Sequence, residues 1–372
     1  MKKLCLILSG YILIGLICYS RLIQAHGYIP AGDGDNAGIL SAGEAASPRE
    51  MMPLAELAVL LEREQRLDQD KEISGKLRHQ IEHYYRQEPG IQSAYLYARV
   101  LQREHKFARA LSILTTLLET APQQINARLL QASIFMVQGS YHQAKQSCLA
   151  LTGHIALTIV AICALDADSQ RLGQQAEQQE QLKRNYQSLI HLLAADKPSG
   201  QGLLLWADQV LAEMALRLNR PLAAQRHLRG ITLSRAPVSL LALWADIELA
   251  LGHEDSLLIT IPDLLAQTQA QLMNLPDALL LRLAIAEQKS HGRKAGTGQW
   301  QNLMAERVRL REVSRNHLHA ALLARYYLDV YPDINKAKHW AAVNFQQTKM
   351  ASDRSLFFRA LTAEASGARE EL

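Results

Sequence analysis

A register of 34 residues constrains this chain more than any other feature, because it lays 91–124 over 125–158. In that register Ala98 falls on Ala132, Leu101 on Phe135, Phe107 on Tyr141, Ala110 on Ala144, Leu114 on Cys148 and Leu117 on Leu151. The stretch His105-Lys106-Phe107-Ala108-Arg109-Ala110 overlies Gly139-Ser140-Tyr141-His142-Gln143-Ala144. Apolar positions at helical spacing on both sides of a polar break predict two helices per period. The alanines matter because antiparallel helices approach closely only where small side chains meet at the crossing. Composition agrees: 48% of the chain is apolar but 6% is aromatic, so Leu and Ala dominate the interior. That mix suits helices, whereas a β-sandwich draws on more Val, Thr and aromatic residues.

At these positions the segment resembles the tetratricopeptide repeat (TPR) family. That pattern has a small residue in helix A, an aromatic opening helix B, an early Ala in helix B and a closing Pro, here Pro122. The resemblance runs from 91 to 350 and loosens after 158. It implies an all-α, right-handed solenoid of antiparallel helix pairs with about five to seven degenerate repeats. It also implies a concave face lined by A helices that binds protein and performs no catalysis.

Ala164 and Ala176 fit a third unit, whose B helix carries Leu182, Tyr186, Leu189, Ile190 and Leu193. Ala212, Ala224 and Leu228, followed by Pro237, fit a fourth; Ala245 and Gly252 fit a fifth with a poor B helix. Helices are expected over 277–289, 299–313 and 316–330, then a B-type helix opening at Asp333 and a cap over 354–364. The tetrapeptide Leu-Trp-Ala-Asp occurs at 205–208 and 243–246, out of frame with the repeats: Trp206 precedes Asn219 by 13 residues and Trp244 precedes Gly252 by 8. The expected organisation is a leader (1–25), a Gly-, Ala- and Ser-rich linker (26–52), an N-terminal helical pair (53–90), TPR-like repeats (91–275), C-terminal helical repeats and cap (276–366) and a tail (367–372).

Met1-Lys2-Lys3, an apolar run from Leu4 to Tyr19 and a small residue at Ala25 make the pattern of a secretory signal. The run is long for a signal and short for a membrane span, so an uncleaved anchor of a membrane-tethered assembly factor is the alternative. Both readings translocate the body, since no Lys or Arg follows Arg21 until Arg49. The expected location is the bacterial periplasm or envelope. Removing Lys2, Lys3 and Arg21 leaves 37 basic against 36 acidic side chains, which gives no electrostatic case for nucleic acid or anionic lipid. The membrane enters only through the N-terminal segment if it stays uncut.

A cut after Ala25 would expose His26, and an N-terminal His can chelate copper. Copper-dependent polysaccharide oxygenases resemble this start, but they complete the site with a second His on a β-sandwich. Phosphate-loop, serine-elbow and zinc-helix motifs are absent from the sequence, so no enzyme, cofactor or metal is expected. His317 and His319 lie about 200° apart on a helix and are poor co-ligands. Gly252-His253-Glu254-Asp255 reads as a helix-capping turn, and the Gly-rich stretch His291 to Gly298 as a linker. Cys148 and Cys163 take core positions on helices expected to be neighbours; they are either bonded or two buried thiols. The candidate partner-binding side chains face outward from the A helices: Tyr95, Arg99 and Arg103, then Asn126, Ser133 and Met136, then Glu213 and Arg217. The family's carboxylate clamp of Lys and Asn is lacking, so the expected partner is another protein or peptide of unspecified sequence.

Overall fold

The computed structural model describes residues 51–63, 72–198, 200–267, 275–290, 298–314 and 319–370. The leader, His26, loop residues 291–297 and His317 lie outside the described residues. Among the described residues the protein is all-helical, with seventeen α-helices, one short 3-10 turn and no strand. None of these helices is long and apolar enough to cross a membrane.

In chain order the helices are α1 Leu54–Arg63, α2 Glu72–Gln87, α3 Ile91–Arg103, α4 Phe107–Thr120, α5 Ile125–Val137 and α6 Tyr141–Leu149. They continue as α7 Leu157–Arg171, α8 Ala176–Ala195, α9 Gln201–Arg217, α10 Pro221–His227, α11 Val238–Leu251 and α12 Glu254–Gln267. The last five are α13 Asp277–Ser290, α14 Gln299–Val313, α15 Ala320–Asp329, α16 Ile334–Gln347 and α17 Ala351–Glu370. The expected start at 316 lies outside the described residues, α15 being described from Ala320, and the capping helix starts three residues earlier than 354.

One turn geometry recurs and explains the 34-residue register. His105, Gly139, Asn219 and Gly252 all have left-handed backbone, with φ of 55°, 77°, 55° and 75°. After each, the next amide reaches back five residues to a helix carbonyl: Lys106 to Leu101, Ser140 to Phe135, Arg220 to Ala215 and His253 to Glu248. This bond pattern satisfies carbonyls that a helix C-terminus leaves without partners and turns the chain into the next helix. Gly and Asn tolerate this conformation best, which accounts for three of the four residues.

Two compact units are present. The first comprises 114–136 and 140–229, where α6 packs on α7, α7 on α8 and α9, and α9 on α8 and α10. Its interior includes Ala132, Ala144, Cys148, Leu151, Ile162, Leu182, Leu189 and Ala212, none of them more than 1% exposed. The second comprises the described residues of 29–113, 137–139 and 230–372. There α1, α2 and α3 pack together, as do α11 with α12, α12 with α13, α13 with α14, α15 with α16 and α16 with α17, and the alternate pairs α11–α13, α13–α15 and α15–α17. Its interior includes Ala98, Ala110, Leu257, Ile261, Leu280 and Leu323.

The fifth unit's B helix is better formed than its sequence suggests. α12 runs 14 residues straight through Pro262. Proline inside a helix costs about 3 kcal/mol. Leu257, Ile261, Leu264 and Leu265 are all buried on this helix. At roughly 1.5–3 kcal/mol for each such side chain, their burial outweighs the proline.

Candidate partner-binding face

The first three candidate residues sit on α3, and α1 lies against that helix. Tyr95 is half-buried, while Arg99 is 5% exposed and pairs with the Glu62 carboxylate of α1. Burial is the largest single influence on Arg99 and would lower its pKa; the charges and hydrogen bonds of Glu62 and Tyr95 together outweigh it and hold the guanidinium above its ordinary value. Arg99 also lies 5.9 Å from the centre of the Tyr95 ring. Arg103 donates to the Leu61 carbonyl oxygen at 2.5 Å, near the C-terminus of α1. The expectation that these arginines face solvent is therefore corrected. The neighbouring helix α1 takes their charge and their hydrogen bonds.

The second group sits on α5. Ser133 and Met136 are buried, which corrects their outward placement. The reason is that α5 is covered over most of its circumference: Ala127, Leu129, Leu130, Gln131, Ile134 and Val137 are buried too, while Arg128 and Phe135 are half-buried. Gln131 accepts a hydrogen bond from Ser147 of α6 at 3.0 Å. Asn126 is half-buried, and its Oδ1 is a buried acceptor without a hydrogen-bond donor among the described residues.

Arg217 at the end of α9 donates to the carbonyl oxygens of Ser169 (3.0 Å) and Leu172 (2.8 Å). These lie at the C-terminus of α7, whose following residue Leu172 is extended rather than left-handed. Without the recurrent turn, this helix end has its carbonyls satisfied by an arginine from the neighbouring helix. Glu213, one turn before Arg217, is half-buried and accepts from Gln209 at 3.0 Å. Across from it, buried Asp166 of α7 accepts from Gln170 at 3.1 Å. Burial is the main cause that pushes both acids above the carboxylate range, and the charge of Asp166 pushes Glu213 further.

The same device recurs in the second unit, at residues that sequence reasoning missed. Arg282 of α13 donates to the Ala242 carbonyl oxygen at 2.8 Å and to the Asp246 carboxylate, both on α11. Lys289 of α13 donates to the Leu249 carbonyl oxygen at 3.1 Å. Arg325 of α15 pairs with Asp246 at 2.9 Å and with Asp329, which also pairs with Arg359 of α17. One row of alternating charges thus joins α11, α13, α15 and α17. Burial works to raise the Asp246 pKa, but Arg282 and Arg325 outweigh it and hold the carboxyl below its ordinary range. The available sequence signal was the Leu-Trp-Ala-Asp tetrapeptide, of which Asp246 is the last residue. Its counterpart Asp208 is pushed up to about 6 instead, because burial outweighs the attraction of Lys197.

Cys148 of α6 and Cys163 of α7 form a disulfide. His253 turns its Nδ1 to Glu248 at 2.8 Å, and Glu254 and Asp255 occupy the first turn of α12. His319 is buried. Among the described residues no three His, Cys, Asp or Glu side chains cluster as metal ligands. No family model, curated protein or solved structure matches the chain.

Proposed function

We propose that this protein is an exported scaffold of TPR-like helical repeats that holds a protein or peptide partner in the bacterial envelope. One observation carries the reading: cationic side chains of one A helix repeatedly bond the backbone of the A helix before it. Arg103 to Leu61, Arg217 to Ser169 and Leu172, Arg282 to Ala242 and Lys289 to Leu249 are the instances. Within each unit such bonds fix the placement of neighbouring A helices, and a face of aligned A helices suits an extended partner. The left-handed turns at 105, 139, 219 and 252 support the same repeat reading. The leader supports export, because its charge is confined to its two ends.

The test is photo-crosslinking in the envelope of the native cell, with a crosslinking amino acid at Asn126 or Tyr95 and, as a control, at exposed Leu222 of α10. A discrete adduct from the A-helix positions and none from Leu222 is expected. Equal, diffuse labelling at all three would overturn the proposal.

A further inference from the structure

Outside the helices, the backbone bond of greatest span among the described residues runs from the Lys349 amide to the Val137 carbonyl oxygen, at 2.7 Å. Val137 ends α5, and Lys349 lies in the connection between α16 and α17. Residues 137–139 and these C-terminal helices belong to the same compact unit, the second. Beside the bond, Lys349 lays its aliphatic stem over Gly139: a Cβ at residue 139 would lie 3.0 Å from the Lys349 Cδ and 3.1 Å from its Cβ. The other turns of this kind show what is particular here. Those at 105 and 219 carry His and Asn at a φ of 55°, so the left-handed backbone does not by itself demand glycine. In the 34-residue register Gly139 overlies that His105. At Gly252, with a φ of 75°, the nearest atom to an added Cβ is 3.9 Å away. Of the two glycines, Gly139 is the one that another segment approaches closely.

Each side of this contact is held in shape from its own neighbourhood. On the Gly139 side, the Ser140 amide donates to the Phe135 carbonyl oxygen at 2.8 Å. On the other side, buried Asp353 of α17 accepts from the Met350 amide and from Asn344 Nδ2, both at 2.9 Å. Thr348 donates its amide to the Asn344 carbonyl oxygen at 2.9 Å and its hydroxyl to Asn344 Oδ1 at 3.1 Å. Arg354 donates to the Lys349 carbonyl oxygen at 3.0 Å. The turn over 348–350 is thus shaped by α16 and α17, with the Lys349 amide aimed at Val137. Two preformed turns that meet through a backbone bond make a joint that can part without either side unfolding. Net of its exchange with water, such a bond biases an equilibrium by about two- to tenfold. We propose that the 348–350 turn is a latch, which closes on the Gly139 turn and releases it while α16, α17 and the Gly139 turn stay folded. Glycine at 139 permits closure, because a Cβ there would press on the Lys349 Cβ, which the backbone carries, and so lengthen the bond to Val137.

The experiment is residue-resolved hydrogen exchange on the full chain. In the wild type the Lys349 amide should exchange more slowly than in a free peptide, yet about tenfold or more faster than amides within α16. Protection equal to that of α16 would make the contact part of one cooperative block and overturn the proposal, as would no protection at all. The variants Gly139→Asn and Gly252→Asn then make the same backbone change, one that asparagine already tolerates at 219. Gly139→Asn should bring the Lys349 amide to the free-peptide rate while α16 keeps its protection, and Gly252→Asn should leave Lys349 as it is. An equal effect of the two variants at Lys349, or loss of protection in α16 together with Lys349, would refute the latch.

Discussion

At the scale of single residues, charge is settled by what the neighbouring helix offers. Arg99, Arg217 and Arg282 lie in places where an isolated helix would show them to water. Each instead meets a carboxylate or a carbonyl from the helix alongside. Gly298 illustrates the opposite relation, in which a missing side chain makes room for a charge. Glu287 of α13 is buried and accepts from the Gln301 amide at 2.9 Å, in the first turn of α14. The unbonded amides and the dipole at that helix start compensate its charge. A Cβ at residue 298 would lie 1.9 Å from the Glu287 Cδ. Gly298→Ala should therefore displace the carboxylate and destabilise the fold by about 1–3 kcal/mol, the cost of a buried polar group left without its partner. Thermal or urea denaturation checks this; wild-type stability would show that Glu287 moves without loss.

At the scale of elements, the covalent link between α6 and α7 fixes a pair that sequence alone left open. Cys148 and Cys163 both fall on core positions, where two free thiols also pack well. What decides it is that α6 and α7 lie side by side, which brings the two Cα atoms to 5.6 Å, inside the span a disulfide needs. The loop closed between them is short, with a sequence separation of 15. On the chain-entropy account the bond adds up to about 3 kcal/mol. Replacing both cysteines with alanine should lower stability by that order. Mass spectrometry of the alkylated, unreduced protein should recover the peptides carrying Cys148 and Cys163 joined. Alkylation of both thiols without reduction would count against the bond. The sequence also misjudged α12, because proline is a local penalty while the burial of Leu257, Ile261, Leu264 and Leu265 depends on neighbours.

At the scale of the whole molecule, the described residues are helices, and four of the turns between them, at 105, 139, 219 and 252, share one backbone solution. Far-ultraviolet circular dichroism should give a helix content above one half, since the described residues outside helices are confined to short connections. N-terminal sequencing of the protein recovered from the envelope is expected to begin at His26. A start at Met1 would instead make residues 4–20 an anchor and the protein a tethered factor. Either result leaves the all-helical fold of the described residues untouched.

By itself the sequence determined the helical class, the 34-residue register and the turns at 105 and 139. These rest on local causes: apolar periodicity, small residues at crossings and polar breaks between helices. The same reasoning placed Tyr95, Arg99, Arg103, Glu213 and Arg217 on helices, and they lie on α3 and α9. It misread what most of them face. Periodicity places a side chain around a helix axis, but it does not say which helix comes alongside. Tertiary structure decided that Arg99 and Arg103 grip α1, that Arg217 closes the end of α7, and that Asp246 holds two arginines. It also buried Ser133 and Met136 by covering most of the circumference of α5. Contacts between residues 36 or more positions apart leave no trace in local spacing, because they are chosen by packing and charge once the helices have met.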